Sequence, residues 1–287
     1  MNTYSESLQL NVGEIKIKKT KLGRYKLKKR DSKDKLVMVV IAAMRYLHLI
    51  YYLGFEVDYK WDMFSPHIAK KIVMDFFRFD LVPADEKLGM LSRLTNTVLL
   101  GLLTTLLGAA VSFPLGLLAA NNISSNKIST FVNAIVSFLR AVPTIVWVLI
   151  FVAGYGLSAT TAIVGMTFHT IAFFVKSFSE SFEEVDPGAI EALKASGASM
   201  PQIIFGAIVP SAYTKLISWI AMRTEINFAV AVVIGPAVGV PGTIGTAINV
   251  YSGHANYSAM GFGVMCVFLI ALAFELIITR IKQTQII

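Results

Sequence analysis

Apolar residues dominate this chain in long unbroken runs rather than in alternation. Six runs, 36–55, 94–120, 128–153, 160–182, 204–234 and 259–281, approach or exceed the roughly 20 residues that a helix needs to cross about 30 Å of hydrocarbon. The first is weakened by Arg45 and His48, and the fifth reads as bent, with an interruption near Gly235-Pro236. A transmembrane β-barrel would show segments of roughly ten residues with alternating polarity. The pattern therefore predicts an all-α polytopic membrane protein with about six transmembrane helices. Between the first two runs, "HIAKKIVMDFFRF" sets Ile68, Ile72, Val73, Phe76, Phe77 and Phe79 near one side, with Lys70, Lys71, Asp75 and Arg78 mostly elsewhere. That is the pattern of a helix lying in the membrane interface.

Composition agrees. Only 15% of the 287 residues are charged, against about 25% in soluble domains. The mean hydropathy is +0.65. The formal charge of +8 does not signal nucleic-acid binding, because residues 1–35 hold eleven Lys/Arg (Lys16 to Lys35) against four acids. Such a basic tail before a first span reads as cytoplasmic and suits contact with anionic lipid. With the N-terminus inside, Lys127, Lys194, Arg280 and Lys282 all fall on the inner side. The loops after spans three and five carry no Lys or Arg, and the acidic-leaning loop 56–91 falls outside. The expected organisation is a cytoplasmic tail (1–35), a first span with an extracytoplasmic segment (36–91) and a transmembrane core (92–282), with both termini cytoplasmic. The N-terminus is too polar for a cleaved signal peptide. The single cysteine, Cys266, excludes an internal disulfide and a cysteine metal cluster.

Residues 183–203 then fall in the cytosol. Within them Asp186 suits an N-cap and Pro187 a first helical position. Ile190, Leu193 and Lys194 follow at helical spacing, and Gly197 ends or bends the helix. Ser199-Met-Pro can start a second helix leading into the fifth span. The product is a small knob with Ala192, Ala195 and Gly197 on its face. It either docks a partner or merely links two spans.

The stretch "EALKASGASMPQIIFGAIVP" (191–210) resembles the EAA loop of ABC-importer permeases, with Glu191-Ala192, Gly197 and Pro210 at matching positions. Leu193 stands where that family's triplet has its last alanine, and Ala207 where it usually has isoleucine. "LRAVPTIVWVLIFVAGYGL", "FHTIAFFVKSFSESFEEVDPGAIEALKASGAS" and "RTEINFAVAVVIG" are similar to the phosphonate-uptake branch, within the wider MetI-like group, and the resemblance covers about 92–282. It implies the fold of a type I importer permease. It also implies an ATPase-coupling loop of Glu191, Ala192, Leu193, Ala195, Gly197 and Pro210. The implied partners are two cytosolic ATPases that use ATP and Mg, a second permease copy or paralogue, and an extracytoplasmic binding protein. The implied cargo is phosphonate or a related phosphorus oxyanion, and the setting a bacterial cell membrane. The chain has no Gly-Lys dipeptide and so no Walker A loop of its own. No cofactor is expected on it.

Charges within spans are expensive and usually face a cavity or a partner. Arg223, Glu225 and Asn227 sit in an otherwise apolar run. Arg223 and Asn227 share a helical face, while Glu225 points away from it. Together with His169 and Arg140 they are the candidate pathway residues. Polar glue between helices reads equally well for the first three, whereas hydrogen-bonded structure is the readier reading for His169 and a topology anchor for Arg140. Two other classes remain. A secondary transporter would show inverted repeats, and none is evident. An intramembrane enzyme is disfavoured because the four histidines are scattered and no HExxH or GxSxG motif occurs.

Overall fold

Proline and glycine placement decides where these helices start, bend and touch. The computed structural model describes residues 17–19, 25–27, 32–56 and 65–284. It divides into two compact units, Met1–Ser65 and Pro66–Ile287. In the first unit, β1 (Ile17–Lys19) pairs antiparallel with β2 (Tyr25–Leu27). Helix α1 (Ser32–Tyr51) continues through a π turn to Glu56. Most of the basic tail lies outside the described residues.

The second unit is a helical bundle. It contains α2 (Pro66–Phe76), α3 (Ala84–Ala119), α4 (Asn126–Ala141), α5 (Thr144–Tyr155) and α6 (Ala159–Glu183). After these come α7 (Pro187–Ala195), α8 (Met200–Ile203), α9 (Val209–Ile234), α10 (Ile244–Gly253) and α11 (Tyr257–Thr284). The described residues hold five helices long and apolar enough to cross a membrane, or six when the bent pair α4–α5 counts as one.

That pair occupies the third expected span, 128–153, with a sharp bend that the hydropathy pattern did not indicate. The two helices meet at 85°. The cause is Pro143: it forces Val142 into an extended conformation (φ −87°, ψ 122°) and ends α4. The pair still carries the chain across. Helices α3 and α6 run parallel, because Ser112 donates to the Ile171 carbonyl at 3.1 Å and Asn122, beyond α3, reaches the Phe182 carbonyl at 2.8 Å. Parallel neighbours need a return crossing between them, and α4–α5 supplies it. Near one end Ser129 of α4 donates to the Ala119 carbonyl at 2.6 Å. Towards the other, Val148 of α5 lies against Gly165. The fifth run is also more continuous than expected, since helical structure extends from Met200 to Gly239. π turns at Ile204–Ile208 and Gly235–Gly239 absorb Pro210 and Pro236, which cannot serve the ordinary ladder.

Packing sorts the core by level. At the α7 end, Phe174, Phe178, Phe182, Ile190, Ile203 and Ile208 form one cluster. At the other end, Val82, Met90, Leu94, Ile244 and Ala259 form another. Helix α10, which the sequence reading left inside an outer loop, belongs to the second. Its Ile244 amide donates to Thr97 Oγ1 at 2.9 Å. Helix α2 lays Ile72 and Phe76 towards α11, where Ser258 donates to the Asp75 carbonyl at 2.9 Å, and leaves Ile68, Val73 and Phe77 exposed.

Glycines let the three central helices touch. A Cβ on Gly101 would stand 2.8 Å from the Phe228 backbone nitrogen, and one on Gly108 2.5 Å from Thr170 Cγ2. Close small-residue contact of this kind takes the place of a hydrophobic driving force in lipid. Gly101→Ala should destabilise the protein by on the order of 1–3 kcal/mol through overpacking. Gly89→Ala, where nothing lies within 4 Å, should not. Thermal unfolding of the two variants in detergent checks the difference.

Candidate functional site: an anchored knob and a buried guanidinium

The segment between α6 and α9 is built as a rigid projection. Asp186 Oδ1 accepts the Gly188 N–H at 3.0 Å and caps α7, whose first turn begins with Pro187. Gly197 takes φ +82°, a conformation that favours glycine, so that its own N–H reaches the Lys194 carbonyl and the Ala198 N–H reaches that of Leu193, each at 3.0 Å. The Ser199 N–H then donates to the Gln202 side chain at 2.7 Å and opens α8.

Ile190 and Leu193 plug this knob into the bundle. Ile190 is buried among Phe182, Ile203 and Ile208, and half-buried Leu193 packs on the same cluster. Glu191, Ala192, Ala195 and Gly197 are exposed on α7 and its C-terminal turn, and Pro210 is exposed in the first turn of α9. Side chains clamp the helix ends beside the knob. Glu183 accepts from the Asn121 N–H at 2.7 Å and from Asn121 Nδ2 at 2.9 Å, which ties α6 to the end of α3. Glu184 pairs with Lys215 and ties α6 to α9.

Deeper in the bundle lies a chain of buried polar groups. Asn227 Nδ2 donates to Thr105 Oγ1 at 2.9 Å, and Thr170 Oγ1 lies 3.2 Å from Asn227 Oδ1. Arg223 Nη2 donates to Thr170 Oγ1 at 3.3 Å. The chain links α3, α6 and α9. Arg223 is 5% exposed, and its guanidinium carbon sits 4.9 Å from the centre of the Phe173 ring. No carboxylate pairs with it among the described residues. Three buried side-chain polar atoms lack a hydrogen-bond partner among those residues, and two of them are Arg223 Nε and His169 Nδ1. Half-buried His169 stands beside the Val142 backbone, within electrostatic reach of Arg223 and Arg140.

The structure thus brings Arg223, Asn227 and His169 together. Arg140 is exposed in the last turn of α4, next to the helix break. Glu225 is half-buried away from this network and pairs with no cation among the described residues. Sequence reasoning missed Thr105, Thr170 and Phe173. The available signal was a threonine facing glycine and asparagine positions on neighbouring apolar runs. That signal becomes specific only once helix pairing is known.

Residues 112–285 match the family of binding-protein-dependent transport system inner membrane components, and the chain belongs to that family. It is 30% identical over 199 residues to the phosphate-import permease protein PhnE of Mycolicibacterium smegmatis, an alignment covering 69% of this chain and 36% of that one. The phosphite transport system permease protein PtxC of Stutzerimonas stutzeri is 28% identical, covering 50% of this chain and 52% of that one. The methionine import system permease protein MetP of Bacillus subtilis is 27% identical, covering 52% and 69%. The chain therefore spans between about a third and a half of the length of the phosphate and phosphite permeases. Among solved structures, an inward-facing MetNI methionine ABC transporter superposes with a TM-score of 0.64 at 21% identity, over 71% of this chain and 99% of that one. The fold is that of an ABC-importer permease.

Thr105→Val should strand Asn227 Nδ2 and lower stability by about 1–2 kcal/mol. Thr105→Ser, which keeps the hydroxyl, should restore most of it. Unfolding midpoints in detergent distinguish the two.

Proposed function

We propose that this chain is the membrane-spanning permease subunit of an ATP-driven importer for a phosphorus oxyanion. The α7 knob is the observation that carries the importer reading. It is a capped helix held by an apolar plug of Ile190 and Leu193, with Glu191, Ala192, Ala195 and Gly197 exposed to a partner. In this reading two cytosolic ATPases, binding ATP and Mg, grip the knob, and ATP-driven movement reaches α6, α3 and α9 through Ile190, Glu183 and Glu184. A second permease copy or paralogue and an extracytoplasmic binding protein complete the assembly. The α7 end, with Lys127, Lys194 and Lys215, faces the cytosol of a bacterial cell, and both termini lie on that side.

The names of the phosphate and phosphite relatives support the cargo class. The names of the methionine relatives support a second reading, a methionine permease. Arg223 argues for the oxyanion: a guanidinium buried without a counter-charge suits a ligand of net negative charge, which a zwitterion is not.

The test is co-purification from native membranes in mild detergent. Wild type should retain an ATP-binding subunit in stoichiometric amount. Gly197→Val strains a backbone conformation that valine avoids, costing about 1–3 kcal/mol, and Glu191→Lys reverses the charge on the free face. Each should insert normally yet lose most of the retained ATPase and of the coupled uptake. Normal retention and uptake in both variants would overturn the docking role.

A further inference from the structure

A cleft of about 410 Å³ opens between α6 and α9 towards the α7 end of the bundle. Its walls carry the hydroxyls of Ser177, Ser181 and Ser218. Its two carboxylates are both neutralised: Glu180 by Lys176 at 3.1 Å and Glu184 by Lys215. Trp219 also lines it, with its indole N–H donating to Ser181 Oγ at 3.2 Å. The Trp219 ring meets the Phe173 ring edge to face at 5.9 Å. The Phe173 ring in turn lies under Arg223. A polar cleft, an aromatic pair and an uncompensated buried cation therefore stand in contact, in that order, going into the bundle.

We infer that the cleft is the inner vestibule of the transport pathway, that Arg223 is an oxyanion contact within the membrane, and that Phe173 and Trp219 form the barrier between them. This rests on the importer reading and assigns to that activity a specificity-determining residue and a gate. Three observations converge on it. Both vestibule carboxylates are paired with lysines, so the surplus charge along this route is Arg223. The guanidinium is buried yet keeps Nε unpartnered, and His169 Nδ1 nearby is unpartnered as well; a purely structural arginine would be expected to have its donors matched. The cation rests on an aromatic face, 4.9 Å from the Phe173 ring centre, a contact that leaves its N–H donors available to an anion. Phosphate, phosphite and methylphosphonate share the recognised group, a tetrahedral phosphorus bearing anionic oxygens, and the binding assay separates them.

The experiment uses the full chain with its native partners in inverted membrane vesicles. Cys266→Ala removes the only native thiol, and Ser218→Cys places one in the vestibule. Its modification by a sulfonate-bearing thiosulfonate is timed with phosphate, phosphite, methylphosphonate or methionine present. The expected result is labelling that at least one phosphorus compound slows and methionine does not. Arg223→Met should abolish that protection and lower uptake by intact cells by about tenfold or more, the loss expected of one charge-assisted hydrogen bond. Arg223→Lys should retain part of both. In a Thr170→Cys protein, labelling should be slow and should accelerate when Trp219→Ala removes the barrier. If wild-type cells take up a phosphorus compound but Ser218→Cys in the vesicles is never protected, or cells with Arg223→Met transport normally, the inference is overturned while the importer reading stands. If wild type takes up no phosphorus compound, the oxyanion reading itself fails.

Discussion

A guanidinium inside a bilayer must be satisfied by its own protein, and the bundle is organised around how Arg223 meets that demand. Insertion of such a charge at the centre of a span costs roughly 2.5–3.5 kcal/mol. Here no carboxylate offsets it among the described residues. An aromatic face and one threonine do, and that threonine belongs to a chain running through Asn227 to Thr105. For the chain to close, α3, α6 and α9 must approach within hydrogen-bonding distance of one another. Gly101 and Gly108 give that approach, since a methyl group at either would collide with the facing helix. The glycine contacts and the polar chain are two parts of one arrangement.

The same three helices carry the ends that meet the knob. Phe182 and Ile208 hold Ile190 on α7, and Asn121, Glu183, Glu184 and Lys215 fasten neighbouring helix ends. The knob is therefore seated on elements that meet at Arg223. This is a structural route between the exposed knob and the buried cation, through packed side chains and paired charges rather than through flexible loop.

Much of the fold was legible in the sequence because lipid leaves little choice. Runs of apolar residues of spanning length have to be helices, and Asp186-Pro187 with Gly197 marks the knob's ends by ordinary capping rules. The break in the third span was less legible. Pro143 sits inside a hydrophobic run, and hydropathy does not register that proline extends the residue before it. Helix α10 was hidden for a different reason. It is too short to span, although Thr243 before Ile244, Ala247, Ile248 and Tyr251 gives both a cap and a helical stripe. Of the buried polar chain, the sequence offered Arg223 and Asn227, because they stand out against apolar neighbours. Thr105 and Thr170 do not stand out: each can satisfy its hydroxyl on its own helix, at the Gly101 and Met166 carbonyls. Their role depends on which helices pair.

The proposed activity is ATP-driven passage of a phosphorus oxyanion across the membrane. The most direct measurement is uptake of radiolabelled phosphate, phosphite and methylphosphonate, with methionine as comparison, by cells that have lost the chain and by the same cells with it restored. Restoration should return energy-dependent uptake of at least one phosphorus compound and leave methionine uptake unchanged. Restored methionine uptake with no change in any phosphorus compound would contradict it.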